Sequence, residues 1–431
     1  MPSGWSLTRL HQIRENRVPG WWPRILSHAA SAATGESGLC YRTAIYHDTG
    51  DITWLFPHSN TAELISAWLD LAAELGDPYY EKLAVAYADR LLSDPIKGFY
   101  RGERKEAHGL AWYWPDDGTY TGGYSMRFPH ALRRLNAATG NPRYLEACQE
   151  IGETLLGRTL PSGLSSMVGW CPQRGWIGGN VAGSRYVYVI STYANLFAIT
   201  QEQKYADAYE KALDALLRMQ RADGAFYQTY HLDSLEPADA SVKLHFFAYI
   251  LNSLAEAHSL LHDDRLVACA LRITRYLADV FYYRLQIPYC ENPGFETDLL
   301  EADSAISDCN HGLFWLHSVT GNEVCQDVAL KLWMQTWLSQ WKCASMPGWD
   351  GALPKGVKPG LETQQSAKTI AARHLQYEES RIARCEVWFV TQHIQASRRL
   401  LSLMRGNAFT RKEQRCHHRR TAAQPRKNPW F

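Results

Sequence analysis

Short polar turns recur along this chain about 60 residues apart, a longer period than that of most solenoid repeats. Gly76-Asp77-Pro78 and Gly140-Asn141-Pro142 occupy matching places between matching apolar segments; Thr200-Gln201-Glu202, His262-Asp263-Asp264 and Gly321-Asn322 follow in step. Each unit reads as an apolar helix, a tight turn, a second helix and a longer irregular loop. That is a helical hairpin. Hairpins that each expose an apolar face must pack on one another, and a closed ring buries all of those faces at once.

The first hairpin shows the pattern most clearly. Ala62, Ile65, Trp68, Leu69 and Ala72 follow the helical period, Gly76 stops the helix and Pro78 opens the next. The same reading pairs 129–139 with 144–156, 187–200 with 205–220, 244–261 with 266–281, and 308–320 with 324–341. A sixth first helix over 382–404 lacks a partner, and the lone candidate at 22–33 would complete its pair if the ring closes. The expected fold is mainly α, an (α/α)6 toroid with long aromatic loops at one end. Strand propensity is low, with Ile52-Thr53-Trp54-Leu55-Phe56 short and isolated.

A chain of 431 residues would ordinarily suggest two or three domains. An even repeat argues instead for one toroidal domain over 1–404, followed by a basic, disordered tail over 405–431. The tail holds eight of the 45 Lys/Arg and one of the 44 Asp/Glu, which leaves the body at net −6. A mildly acidic body is poorly suited to a polyphosphate backbone, so no nucleic-acid partner is expected. No secretory leader and no membrane-length apolar run is evident. The ten cysteines are scattered without paired spacing, several on helical faces, which points to free thiols and a cytoplasmic location.

The chemistry is expected in the loops at 94–127, 157–186, 221–243, 282–307 and 342–381, which are too long to be mere connections and too aromatic for disorder. Trp112-Tyr113-Trp114-Pro115-Asp116-Asp117 sets flat rings beside carboxylates, as a sugar cleft requires. The competing reading is that the tryptophans plug the loop and Asp116-Asp117-Gly118 is a turn. Asp116 and Asp117 are the candidate general acids, since a carboxyl in an aromatic, water-poor loop is raised toward neutrality. Trp112, Trp114 and Trp176 are candidate platforms. Tyr124, Arg185, Tyr188 and Arg381 are candidate substrate contacts. His130, His245, Asp303, Asp308 and His311 lie near the starts of first helices, which a ring would bring to one axis.

No cofactor and no metal is expected. Trp170-Cys171 and Cys309-Asn310-His311-Gly312 faintly resemble the zinc ligands of lanthionine-cyclase-like toroids, but that pattern sets Cys and His adjacent and Asn310 intervenes here. Gln220-Arg221-Ala222-Asp223-Gly224-Ala225-Phe226 resembles the QxxDGxW element of terpene cyclases, whose acidic motifs are missing, and similar turns are widespread in α/α toroids.

The segment from Arg127-Phe128-Pro129-His130 to Pro142-Arg143-Tyr144-Leu145 is similar to the second hairpin of unsaturated glucuronyl and rhamnogalacturonyl hydrolases, six-hairpin glycosidases. That resemblance implies a general-acid Asp shortly before the helix; Gly123 stands there, and Asp116 and Asp117 lie further upstream. Leu244-His245-Phe246-Phe247-Ala248, followed by His262-Asp263-Asp264-Arg265-Leu266, resembles the N-acylglucosamine 2-epimerase family. It implies His245 as an acid/base residue, with His311 or His374 as its counterpart. The leading expectation is a glycoside hydrolase of acidic, uronate-containing oligosaccharides. The alternatives are a sugar epimerase using paired His, a polysaccharide lyase and a non-catalytic glycan-binding toroid.

Overall fold

A computed structural model describes residues 42–46, 52–55, 60–94, 98–114, 119–165, 169–244, 246–284, 290–291, 302–303, 309–338, 356–357, 384–386, 395–400 and 402–403. Five hairpins follow in order: α1 (Asn60–Leu75) with α2 (Pro78–Ser93), α3 (Phe128–Thr139) with α4 (Arg143–Leu156), α5 (Tyr188–Thr200) with α6 (Gln203–Met219), α7 (Phe246–Leu261) with α8 (Asp264–Arg284), and α9 (Cys309–Thr320) with α10 (Glu323–Leu338). The first helices α1, α3, α5, α7 and α9 pack on one another in sequence and form the inner wall, while each second helix packs on its own partner outside. Residues 395–400 are helical and close the gap between α9 and α1. The expected (α/α)6 toroid is the observed architecture.

One device makes every tight turn. The residue after each inner helix takes the left-handed conformation: Gly76 (φ 68°), Gly140 (76°), Gln201 (59°), His262 (53°) and Gly321 (68°). Its N–H then caps the carbonyl four residues back, as from Gly140 to Asn136 at 2.7 Å and from His262 to His258 at 3.0 Å. In four turns the next side chain caps the outer helix: Asp77 accepts from Tyr79 N at 2.9 Å, Asn141 from Arg143 N at 3.2 Å, Asp263 from Arg265 N at 2.9 Å and Asn322 from Val324 N at 2.9 Å. Pro78 adds a preset φ at the first helical position.

A second repeated device ties the outer helices together. Leu160–Leu164 and Arg221–Ala225 are near-identical short loops closed by Gly163 (φ 91°) and Gly224 (φ 94°). A Cβ on Gly163 would lie 2.1 Å from Lys211 O, and one on Gly224 would lie 2.2 Å from Arg272 O, so each loop rests directly on the backbone of the next outer helix. Gln220 joins the contact, accepting from Arg272 Nε at 2.6 Å and donating to Cys269 O at 3.1 Å. The Gln220–Phe226 element is thus a staple between α6 and α8.

The core lies between the two helical layers, with Trp68, Leu132, Tyr144, Tyr193, Phe247 and Phe314 fully buried. Cys148 and Cys269 belong to it as small apolar residues, and burial pushes both thiols up to about 12. Tyrosines reach polar rims across neighbouring outer helices, Tyr144 to Asp89 at 2.9 Å and Tyr205 to Glu153 at 2.8 Å. No described helix is long and apolar enough to cross a membrane.

Several boundaries and loops differ from expectation. Strand β1 (Arg42–Tyr46) pairs with β2 (Ile52–Leu55) and with the strand Arg384–Glu386, so the Ile52 run is not isolated and no helix spans 382–404 without interruption. Backbone pairing across distant chain segments creates these strands, which local propensity does not show. The Trp112–Trp114 segment is likewise a strand: β3 (Ala111–Trp114), β4 (Thr119–Thr121), β5 (Gly169–Cys171) and β6 (Gly175–Ile177) form one antiparallel sheet. A further pair, β7 (Val181–Gly183) with β8 (Thr229–His231), links two loops. The proposed helix at 22–33 and the tail 405–431 lie outside the described residues.

Candidate active site

An inner helix of a toroid is buried on its outward and lateral faces, so a polar side chain on it either faces the axis or must find a partner in the core. Helix α5 makes the point, being buried from Tyr188 to Leu196 yet carrying Ser191, Thr192 and Asn195. Similar polar stripes at spacings of three and four occur on each inner wall: Glu63, Ser66 and Asp70 on α1, His130, Arg133 and Arg134 on α3, Asn252 and Glu256 on α7, and Gln395, Arg398 and Arg399 on the closing segment. Of these, Glu63, Ser66, His130, Asn252, Glu256 and Gln395 line an axial cleft of about 330 Å3, its open mouth included.

The deeper part of the axis is a cross-linked polar layer. Asp70 accepts from Arg134 Nη2 at 2.6 Å and also pairs with Arg398, which joins α1, α3 and the closing segment. Burial alone would raise the Asp70 carboxyl, but the two guanidinium groups outweigh it and hold it below the usual carboxylate range. Arg133 Nε donates to Asn195 Oδ1 at 2.6 Å and ties α3 to α5.

Above this layer lies the cleft proper. Glu63 pairs with Arg127, and both are buried. The Arg127 guanidinium lies 4.8 Å from the Tyr188 ring and 4.5 Å from the Tyr249 ring, a cation held between two aromatic faces. Glu256 stands opposite on α7. Burial, assisted by the negative charge of Glu63, raises its carboxyl to about 7 against the pull of a Ser191 hydrogen bond and of Arg134 and Arg133. His130 Nδ1 lies 3.9 Å from Glu256 Oε2, with the two side chains 19% and 16% exposed. Burial, then the arginines Arg134, Arg133 and Arg399, hold His130 well below the usual imidazole range. His311 is held neutral in the same way, by burial and by Arg399, whose Nε donates to its Nδ1 at 2.8 Å. The cleft therefore offers a carboxyl that keeps its proton near neutrality, an anchored second carboxylate, and two neutral imidazoles. That set suits proton transfer to or from a sugar oxygen or carbon.

Of the residues singled out from sequence, His311 and Tyr188 line this cleft. His130, named there only for its place at a helix start, lines it too. Trp176 lies elsewhere, in a small aromatic cluster with Trp170, Tyr100 and Tyr120, and the Arg158 guanidinium covers its ring at 4.4 Å. Trp112 and Trp114 have their backbone in β3, Tyr124 in the helical turn Gly122–Ser125, and Arg185 in the 3-10 turn Ser184–Val187 that leads into Tyr188; their side chains lie outside the described residues. Asp116, Asp117, His245 and Arg381 lie outside the described residues altogether. Sequence reading passed over Glu63, Arg127, Asn252, Glu256 and Gln395, which sit on helices or at a helix start. A signal for one of them existed: Glu256 is a carboxylate in the apolar run from Phe246 to Leu261. Among the described residues no group of three His, Cys, Asp or Glu side chains is placed to hold a metal ion.

Residues 152–398, more than half of the chain, match the family model described as the beta-L-arabinofuranosidase GH127 catalytic domain. This span includes Tyr188, Asn252, Glu256, His311 and Gln395. No curated protein matches the chain by sequence. Among solved structures, a cellobiose 2-epimerase from Spirochaeta thermophila is similar with a TM-score of 0.66 at 14% identity, over 92% of this chain and 98% of that one. An unsaturated glucuronyl hydrolase specific for heparin gives 0.61 at 13% identity, over 89% and 96%. A family 76 mannosidase from Bacteroides thetaiotaomicron gives 0.58 at 16% identity, over 89% and 99%. At such identities the likeness is one of fold, and both toroid families resembled by the sequence are represented.

Proposed function

Since the chain belongs to the GH127 beta-L-arabinofuranosidase catalytic-domain family, and so is a carbohydrate-active enzyme of glycoside-hydrolase type, we propose that it cleaves a terminal glycosidic bond in the axial cleft with Glu256 as the general acid. The observation that supports this reading is the contrast between two carboxyl groups in one cleft. Glu256 is raised to about 7 and so still carries a proton near neutrality. Glu63 is fixed as an ion pair by Arg127. Two carboxyls with opposite protonation are what glycoside cleavage needs: one protonates the leaving oxygen, and the other stabilises positive charge developing at the anomeric carbon.

The substrate class proposed is the one named by the family, an arabinofuranoside. The acidic-oligosaccharide expectation draws support from Arg127 on the cleft wall, so uronate-containing and neutral arabinofuranosides belong in the same screen, read by mass spectrometry. Glu256→Gln is expected to lower kcat by about 100-fold or more on a substrate with a poor leaving group. It should lose far less on a nitrophenyl glycoside, whose leaving group needs no proton. Wild-type turnover in Glu256→Gln on the poor leaving group would overturn the assignment, and saturable binding without turnover in the wild type would favour the glycan-binding toroid.

A second reading has its own support. His130 and His311 both line the cleft and both are held neutral, which suits a sugar epimerase that removes and returns a carbon-bound proton. Turnover in deuterated water separates the two, because carbanion or enediol chemistry labels the ring carbon and hydrolysis does not.

A further inference from the structure

His130 Nδ1 is buried and has no hydrogen-bond partner. Leaving a buried ring nitrogen unbonded costs on the order of 1–3 kcal/mol, so its placement calls for a reason. The polar atom it faces is Glu256 Oε2, 3.9 Å away. That gap is too long for a hydrogen bond, whose donor–acceptor distance is about 2.7–3.2 Å. It is also too short for a bridging water, which needs two such links and separates its partners by roughly 4.5 Å. A movement of about 1 Å closes the gap into a direct bond. His130 lines the cleft, and its side chain is 19% exposed although Nδ1 itself is buried.

We propose that His130 delivers the proton to the leaving oxygen from Nε2 and is resupplied at Nδ1 by Glu256, so that the buried carboxyl reaches the substrate through the imidazole. This rests on the reading of Glu256 as the acid and specifies how its proton travels. As the glycosidic C–O bond breaks, its electron pair goes to the leaving oxygen, which takes the proton from Nε2. At the same time the Glu256 O–H bond breaks and Nδ1–H forms. His130 ends as the other neutral tautomer and Glu256 as a carboxylate, balancing the positive charge on the sugar. Attack of water on the sugar releases a proton that returns along the same path.

The surroundings favour this arrangement. A relay needs an imidazole that is neutral at the start, since a doubly protonated ring cannot accept from Glu256. Arg133 and Arg134 from α3, Arg399 from the closing segment and His311 from α9 lie around His130. Glu63 from α1 and Ser191 from α5 lie around Glu256. The cationic groups disfavour an imidazolium, and Glu63 disfavours early loss of the Glu256 proton.

The test compares His130→Gln and Glu256→Gln in the full chain on methyl and 4-nitrophenyl β-L-arabinofuranoside, with thermal unfolding midpoints measured for both. The relay predicts a loss of about 100-fold in kcat on the methyl glycoside for each variant, and a much smaller loss on the nitrophenyl glycoside, where only the returning proton uses the path. It also predicts a curved dependence of wild-type kcat on deuterium fraction, since two protons move together, and a straight line in His130→Gln on the residual activity. If His130→Gln keeps its turnover on the methyl glycoside while Glu256→Gln loses it, the relay is overturned and Glu256 acts directly. A straight line for the wild type overturns it as well. If neither variant loses turnover, the assignment of Glu256 itself falls. Should His130→Gln prove unstable, the wild-type proton inventory decides alone.

Discussion

Glu256 occupies a helix whose remaining surface is mostly apolar, and the burial that makes it a candidate acid also acts on folding. Its carboxyl titrates near 7 in the folded protein against an ordinary 4.5. Between those values the folded state holds a proton that the unfolded state has released, so stability from this group falls as pH rises from 4.5 to 7 and is level above. The span is about 3 kcal/mol by linkage. His130 and His311 work in the opposite sense. Both are held below the usual 6.5, so the unfolded chain takes up protons first and stability falls as pH drops below 6.5. Glu256→Gln removes only the first effect. It is expected to match the wild type near pH 4.5 and to exceed it by about 2–3 kcal/mol at pH 8, as read from urea denaturation at the two pH values. A variant no more stable than the wild type at pH 8 would show that the carboxyl is not raised. The same residue marks where sequence reading stopped. A carboxylate in an apolar helix, such as Glu256 or Asp70, cannot be told from a satisfied core pair until the ring places it on the axis, whereas the carboxylates of the aromatic loops stand out in the sequence alone.

At the scale of the element, much was legible. The five tight turns are recognisable because their chemistry is local: a residue able to adopt positive φ, then Asp or Asn to cap the next helix in four of them, are written in consecutive positions. The strands were not, because β1 gains its partner from Arg384–Glu386 at the far end of the chain, and such pairings leave no local trace. The loop glycines fall between these cases. Gly140 and Gly224 look alike in sequence, yet a Cβ on Gly140 meets open space, whereas one on Gly224 lies 2.2 Å from Arg272 O. Gly140→Ala should therefore cost only the left-handed backbone penalty, about 1 kcal/mol. Gly224→Ala should cost more than about 3 kcal/mol, because the Arg221–Ala225 loop must lift away from α8 as well. Denaturation midpoints for the two variants check this; equal losses would mean that the staple between α6 and α8 is loose.

For the molecule as a whole, the question is what makes a row of hairpins a ring. A row needs contacts only between successive units, whereas a ring needs its last unit to hold its first. Asp70 supplies that link, since it lies on α1 and pairs with Arg134 from the neighbouring α3 and with Arg398, 328 residues away along the chain. Trp333 Nε1 reinforces the closing segment from outside, donating to Ser397 Oγ at 2.9 Å. Asp70 is buried, so its removal takes the shared carboxylate from two guanidinium groups, and the loss of one partner from a buried pair costs on the order of 3–5 kcal/mol. Asp70→Asn keeps the shape and removes the charge. The cost should be uneven around the ring: amide exchange should quicken in α1 and in the 395–403 segment, while α5 and α6, held by contacts among successive hairpins, should keep their protection at pH 7. Equal quickening everywhere would mean that the toroid opens as one cooperative body, and unchanged exchange at 395–403 would mean that Asp70 does not close it. Because His311 and its partner Arg399 bridge the same seam, an opened ring should also lose the cleft. Turnover in Asp70→Asn is therefore expected to fall in step with the fraction of rings open at the seam, although Asp70 lies below the proposed proton path and donates nothing to it.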